Sequence, residues 1–254
     1  MPHRQVVWVV GYPRSGTVWL AWLLGDALNC PVYPGPSAAG DDNDYVTEGT
    51  DRPWPWVVRQ GHFIVRERDD GLREPQTMTR AEREKGKIVY VVRDPRDLAV
   101  SRAFYWQMPV DWALHDMLSD EFGWNLGWKP HVEHWKRQGW DALVQYEHLR
   151  WNAVGELWRI LRALELPTDW ARILGAVERQ DFYHKRKRGS GRYLRHKHTA
   201  RTNVWPCYLT REMCRKAQAQ WAGLLDQFGY IDKADWWIDL PDRVKFPKAR
   251  EYER

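Results

Sequence analysis

Cysteine is scarce. The 254 residues carry three, Cys30, Cys207 and Cys214. Their spacing offers neither a disulfide framework nor a close C-x-x-C metal pair, which argues for a reducing compartment and against structural zinc. Long apolar runs are also missing. None approaches the ~20 residues that a membrane-spanning helix needs. The first run, residues 6–10, stops at Gly11-Tyr12-Pro13, so a signal peptide is not expected. There is no internal repeat and no low-complexity tract. These absences predict a soluble, cytoplasmic protein with no membrane partner. The length suits a single domain over residues 1–254.

Tryptophan is what the chain has in excess, with 18 of them. Large aromatic side chains fill cores, and some are expected to line a cavity that accepts a ring. Formal net charge is +5, a balance that suits an anionic ligand or nucleic acid. The positives concentrate in residues 184–201, a run that also reads as a solvated loop.

Residues 6–10 (Val-Val-Trp-Val-Val) and 88–92 (Ile-Val-Tyr-Val-Val) are unbroken, mostly β-branched runs. Strands of this kind are buried on both faces of a parallel sheet. Residues 142–146 and 62–65 are expected as two more. Helical spacing recurs between them: Trp19, Leu20, Leu23, Leu24, Ala27 and Leu28, then Val154, Leu157, Trp158, Leu161 and Leu164, then residues 211–228. Asp94-Pro95 is a helix start, with Asp capping the free N–H groups and Pro at the first position. Residues 35–55 and 69–86 read as loops, the second with a short helix. This alternation predicts an α/β fold: one domain, a central parallel sheet and helices on both faces.

The first strand runs directly into Gly11-Tyr12-Pro13-Arg14-Ser15-Gly16-Thr17-Val18-Trp19. A glycine-bearing turn between a buried strand and a helix aims backbone N–H groups and the helix dipole at one point, an anion site suited to phosphate. A nucleoside triphosphate loop would need Lys and then Ser/Thr after the second glycine. Here those positions are Thr17 and Val18, and valine cannot ligate magnesium. The cation sits inside the loop instead, at Arg14. Both points disfavour ATP chemistry, and no metal is expected.

Tyr-Pro-Arg-Ser-Gly-Thr-x-Trp resembles the 5′-phosphosulfate loop of the cytosolic-type sulfotransferases that use 3′-phosphoadenosine 5′-phosphosulfate (PAPS), with Arg14 where Lys is usual. Arg93-Asp94-Pro95-Arg96-Asp97-Leu98-Ala99-Val100-Ser101 is similar to the 3′-phosphate motif of that family, in which an Arg at a strand end and a Ser two helical turns on bind one phosphate. The resemblance extends over nearly the whole chain. Arg59-Gln60-Gly61-His62 sits where the family carries Lys-Thr-His, so His62 is the implied catalytic base while the lysine has become Gln60. Tyr146-Glu147-His148-Leu149 resembles Tyr-Glu-Asp-Leu beside the nucleotide pocket. Gln180-Asp181-Phe182 resembles the segment whose aromatic packs on adenine, with Trp19 on the other face. At the C-terminal side the match is poorest: Trp205-Pro206-Cys207-Tyr208-Leu209-Thr210 fits the tail of the closing motif, and either Arg201 or Arg188 takes the role of its phosphate-binding arginine. Arg201 is the preferred reading.

The resemblance implies a PAPS-dependent sulfotransferase. Arg14, Ser15, Gly16, Thr17, Val18 and Trp19 bind the cofactor at the first loop, and Arg93, Ser101, Tyr146, Phe182 and Arg201 bind it elsewhere. His62 removes a proton from the acceptor, and Arg14 neutralises charge on the leaving nucleotide, adenosine 3′,5′-bisphosphate (PAP). The acceptor is expected to be a small hydroxyl or amine compound, aromatic or glycosidic, in a pocket drawn from residues 32–59 and 105–128 with Trp54, Trp56, Trp106, Trp112, Trp124 and Trp128 as walls. Nucleic acid is not an expected partner, and a homodimer is left open.

Overall fold

The computed structural model describes residues 5–34, 55–62, 64–66, 77–119, 127–180, 201–231 and 235–244. The chain divides into two compact units: Met1–Val92 with His134–Gly189, and Arg93–Glu133 with Ser190–Arg254.

The first unit is built on a five-stranded sheet. Its strands are β1 (Gln5–Gly11), β2 (Val32–Pro34), β3 (Trp56–Gly61), β6 (Gly86–Val92) and β7 (Ala142–Gln145), in the order β2-β3-β1-β6-β7. Every pairing is parallel. β1 is central and β6 lies beside it; Val7, Trp8, Val9 and Val10 of β1 and Ile88, Val89, Tyr90, Val91 and Val92 of β6 are buried, and Val6 is half-buried. Alternate residues serve opposite faces of a strand. Val7, Val9, Val89, Val91 and Val144 join the cluster formed with α1 (Thr17–Leu28), α7 (Ala153–Ala163) and α8 (Trp170–Arg179). Residues of the other parity turn away: Tyr90 stacks on Trp140, with centroids 5.2 Å apart, and packs on Trp135. Burial, and after it Tyr12, holds the Tyr90 phenol well above its ordinary pKa, so the ring sits there uncharged. A separate pair, β4 (Ile64–Arg66) and β5 (Thr77–Thr79), forms a second small parallel sheet, followed by α2 (Arg80–Lys85).

The strand expected at residues 62–65 is displaced. The strand beside β1 is β3, which ends at Gly61, and Ile64–Arg66 belongs to the other sheet. Arg59 and Gln60 break the apolar run that would have marked β3, and both have partners: Arg59 lies over the Trp8 ring, and Gln60 reaches Thr17. The strand expected over 142–146 stops one residue early, because Tyr146 opens a short helix, α6 (Tyr146–Trp151). The short helix expected within 69–86 is α2.

The second unit is helical among the described residues. It contains α3 (Pro95–Trp106), α4 (Val110–Met117), a 3₁₀ turn at Trp205–Cys207 and α9 (Arg211–Gln227). Asp94 caps α3 by accepting the Arg96 N–H at 2.9 Å, with Pro95 at its first turn. Its core joins Val100, Ala103, Val110 and Ala113 to Trp205, Tyr208, Leu209 and Cys214. A further helix, α5, runs Trp128–Gln138, and its Trp128 meets Trp221 edge-on. The tryptophans divide between core and surface, and Trp128, expected as a wall of the acceptor pocket, is instead fully buried against Trp221. Trp8, Trp128, Trp135, Trp205 and Trp221 are buried, whereas Trp106, Trp112, Trp151, Trp158 and Trp170 are exposed. No helix among the described residues is long and apolar enough to cross a membrane.

Two glycines inside helices separate packing from propensity. A Cβ on Gly25 in α1 would fall 2.2 Å from Val32 Cγ2, whereas one on Gly223 in α9 would meet nothing. Gly223→Ala should therefore raise stability by up to about 1 kcal/mol. Gly25→Ala should lower it by ~1–3 kcal/mol through overpacking, both read from urea-unfolding midpoints. The thiols offer a second check. Cys30 and Cys214 are buried with their pKa pushed up to about 12, chiefly by desolvation, and Cys207 is exposed. A thiol reagent at neutral pH should label Cys207 alone in the native protein and all three after denaturation.

Candidate active site

In the first unit, β1 ends at Gly11 and α1 begins at Thr17, so five residues make the turn. Arg14 and Gly16 both have left-handed backbone, with φ of 76° and 98°. Side chains are tightly excluded here. A Cβ at Gly16 would lie 2.5 Å from Tyr146 Cδ2, and one at Gly11 would lie 2.5 Å from both Ser15 Oγ and the Val91 carbonyl. Glycine is required at both positions by close approach, and at Gly16 by its φ as well. The Ser15 N–H closes the turn onto Tyr12 O at 3.0 Å, so that amide is already engaged within the loop. The first intrahelical bond runs from the Leu20 N–H to Gly16 O at 3.1 Å. The N–H groups of Thr17 and Val18 therefore have no acceptor within the helix, and no side chain caps its start.

The Ser15 hydroxyl is fully buried and has no hydrogen-bond partner. A buried polar atom left unsatisfied costs ~1–3 kcal/mol, and an anion in this turn would supply the missing acceptor. The uncapped helix start, the orphaned hydroxyl and a left-handed arginine within the loop fit a phosphate or sulfate group. Val18, one residue beyond, is exposed.

β3 delivers two side chains to this turn. Gln60 Nε2 donates to Thr17 Oγ1 at 2.9 Å, and His62 Nδ1 lies 2.7 Å from the Gly11 carbonyl oxygen. A carbonyl only accepts, so Nδ1 carries the proton, and in the neutral ring Nε2 holds the lone pair. His62 is half-buried, just past the strand's carboxyl end.

Trp19 is half-buried on the first turn of α1. Its indole N–H donates to Gln180 O at 3.3 Å, and its ring meets Tyr146 edge-on with centroids 6.3 Å apart. The Gln180 amide donates to Asp26 at 2.6 Å, which ties the end of α8 to α1. Phe182, the expected adenine partner, lies outside the described residues, as do Arg188, Trp54 and Trp124.

The second unit opens at Arg93, the residue that follows β6. Arg93 is buried, and its guanidinium donates to the Arg201 carbonyl at 3.2 Å; Arg201 itself is exposed. These two residues, predicted to share a phosphate, are thus brought together through a backbone contact. Ser101 is half-buried two turns along α3.

Two supporting residues escaped the sequence reading. Asp97 accepts the backbone N–H groups of Asn203, Val204 and Trp205 at 2.5, 2.9 and 3.0 Å, and so ties the segment after Arg201 to α3. Burial pushes its carboxyl pKa up and Asp94 adds to this, while Arg93 and the backbone N–H groups pull it back. Arg96 is held by Asp94 and the Tyr230 carbonyl, with the rings of Trp205 and Trp236 at 4.2 and 4.5 Å. An acid one turn into a helix was the available signal for Asp97, but nothing local told it from an ordinary first-turn carboxylate. Among the described residues, no cluster of three His, Cys, Asp or Glu could hold a metal ion.

The sulfotransferase domain family matches residues 4–229. Rat (Rattus norvegicus) sulfotransferase 2A2 is 23% identical over 172 residues, covering 60% of this chain and 56% of its own length, so the match spans little more than half of that relative. Mouse sulfotransferase SULT7A1, solved with PAP, superposes with a TM-score of 0.65 at 19% identity, covering 94% of this chain and 90% of the other. Retinol dehydratase, solved with androsterone and the inactive cofactor PAP, gives 0.63 at 18% identity, covering 89% and 82%. The mostly parallel sheet flanked by helices is shared with these structures. With its family pattern running from residue 4 to residue 229, the chain belongs to the sulfotransferase family.

Proposed function

We propose that this protein transfers a sulfuryl group from PAPS to a hydroxyl or amine of a small acceptor. The observation that carries the reading is the His62–Gly11 hydrogen bond of 2.7 Å, which fixes a basic nitrogen against the phosphate-type loop. Family membership supports the donor, and the orphaned Ser15 hydroxyl beside an uncapped helix start supports an anion in that loop.

Bound PAPS supplies an activated sulfuryl group whose leaving group departs as a stabilised phosphate. The chain's own residues do the rest. Ser15, Thr17 and the N–H groups of the first turn of α1 hold the 5′-phosphosulfate end, and Arg14 offsets the negative charge that grows there. Trp19 presents an aromatic face to the base, steadied by Gln180. Arg93 and Ser101 receive the 3′-phosphate, with Arg201 the preferred third ligand. Tyr146 shapes the loop from behind through its close approach to Gly16. His62 Nε2 takes the proton of the attacking group, and its Nδ1–H stays on the Gly11 carbonyl, which both orients the ring and stabilises the imidazolium that forms.

The acceptor class rests on aromatic exposure. Trp106 and Trp112, on α3 and α4, are 44% and 68% exposed and fall in the 105–128 segment expected to line the acceptor pocket. They favour a flat or ring-bearing alcohol or phenol over a charged one.

His62→Ala should retain PAP affinity and lose ~10²–10⁴-fold in turnover, the usual contribution of a positioned general base. Turnover is followed by sulfate transfer from labelled PAPS to a panel of phenols, polycyclic alcohols and sugars. Near-wild-type turnover in that variant would remove His62 as the base. Trp112→Ala should raise the acceptor KM while leaving the KM for PAPS alone, and equal effects on both would sink the acceptor assignment.

A further inference from the structure

Gln60 lies near the end of β3 and His62 directly follows its last residue, Gly61, and both side chains reach the turn between β1 and α1. Each grips the turn between β1 and α1, but at opposite ends. His62 meets Gly11, the last residue of the strand, and Gln60 meets Thr17, the first residue of the helix. One strand end thus spans the whole phosphate-type loop.

The direction of the second contact matters. Gln60 Nε2 donates to Thr17 Oγ1, so the hydroxyl spends a lone pair there and keeps its own proton for another acceptor. Gln60 is nine-tenths buried and Thr17 almost wholly so, hence water competes poorly for that proton. Thr17 stands at the uncapped helix start, beside the unsatisfied Ser15 hydroxyl, where an anion is the expected acceptor. Unlike the lysine that the resemblance places at this position, Gln60 carries no charge. Its contribution is therefore directional, and within the loop the cationic part falls to Arg14.

The geometry points to Gln60 as a positioning residue: through Thr17 it aims a hydroxyl proton at the bound anion, and through the shared strand it keeps the phosphate loop in register with His62. The inference rests on the function proposed above.

The test measures PAP affinity by calorimetry for wild type, Gln60→Met, Thr17→Val, Thr17→Ser and the double variant Gln60→Met/Thr17→Val, each with its unfolding midpoint. Methionine keeps the shape of Gln60 without its donor, and Gln60→Leu repeats the comparison should Met fail to fold. Loss of a hydrogen bond to a charged group makes Thr17→Val weaker by ~10-fold or more. Gln60→Met should lose ~3–10-fold, the share of a neutral hydrogen bond. Because both act through one hydroxyl, the double variant should bind no more than ~2-fold worse than Thr17→Val alone. Thr17→Ser, which keeps the hydroxyl, should bind like wild type. A purely structural role for Gln60 would instead give additive losses. Additive losses, or a Gln60→Met protein that binds PAP like wild type, would overturn the inference while leaving the proposed function standing. A wild-type protein that does not bind PAP would overturn that function and this inference with it.

Discussion

A run of parallel pairings organises the first unit. With β3 and β6 on either side of β1 and all three pointing the same way, their carboxyl ends emerge together at Gly61, Gly11 and Val92. Open parallel sheets bind ligands outside such an edge. The residues that follow are His62, Tyr12 and Arg93, and each opens a segment that the sequence marks out for chemistry. The sheet thereby fixes the loop between Gln60 of β3 and His62 just beyond it, and a turn that departs from ordinary backbone at Arg14 and Gly16 becomes affordable because its ends cannot drift.

The second unit solves a different problem, the fastening of a segment with little regular structure of its own. Residues 201–205 are held by Asp97 of α3, a buried carboxylate taking three backbone N–H groups, and by Arg93, two residues before α3, which donates to the Arg201 carbonyl. Asp97 bears a desolvation penalty to do this, visible in its raised pKa. Arg96, ringed by Trp205, Trp236 and Asp94, welds the same turn from the other side. Two of the tryptophans that made the composition unusual, Trp205 and Trp236, serve here as faces for a buried cation rather than as plain filler.

Legibility followed the local signal. β1, β6, α1, α3 and the phosphate-type turn were readable because unbroken β-branched runs, a capping Asp-Pro and paired glycines are all local features. β3 was not, since its carboxyl end is spent on the site: Arg59 and Gln60 replace the apolar alternation that would have announced a strand. The resemblance to a family picked out His62, while the hydrogen bond to Gly11 that fixes its tautomer is a long-range fact with no sequence signature. Gln60 read as a departure from a motif and proves to be a donor to Thr17. Asp97 was invisible because its partners lie more than a hundred positions away.

Binding of a nucleotide with phosphates at both ends tests the account most directly. Calorimetry in EDTA would compare adenosine 3′,5′-bisphosphate with 5′-AMP and ATP. The account predicts tight binding of the bisphosphate, much weaker binding of 5′-AMP and little binding of ATP. Equal affinity for all three, or none for any, would contradict it.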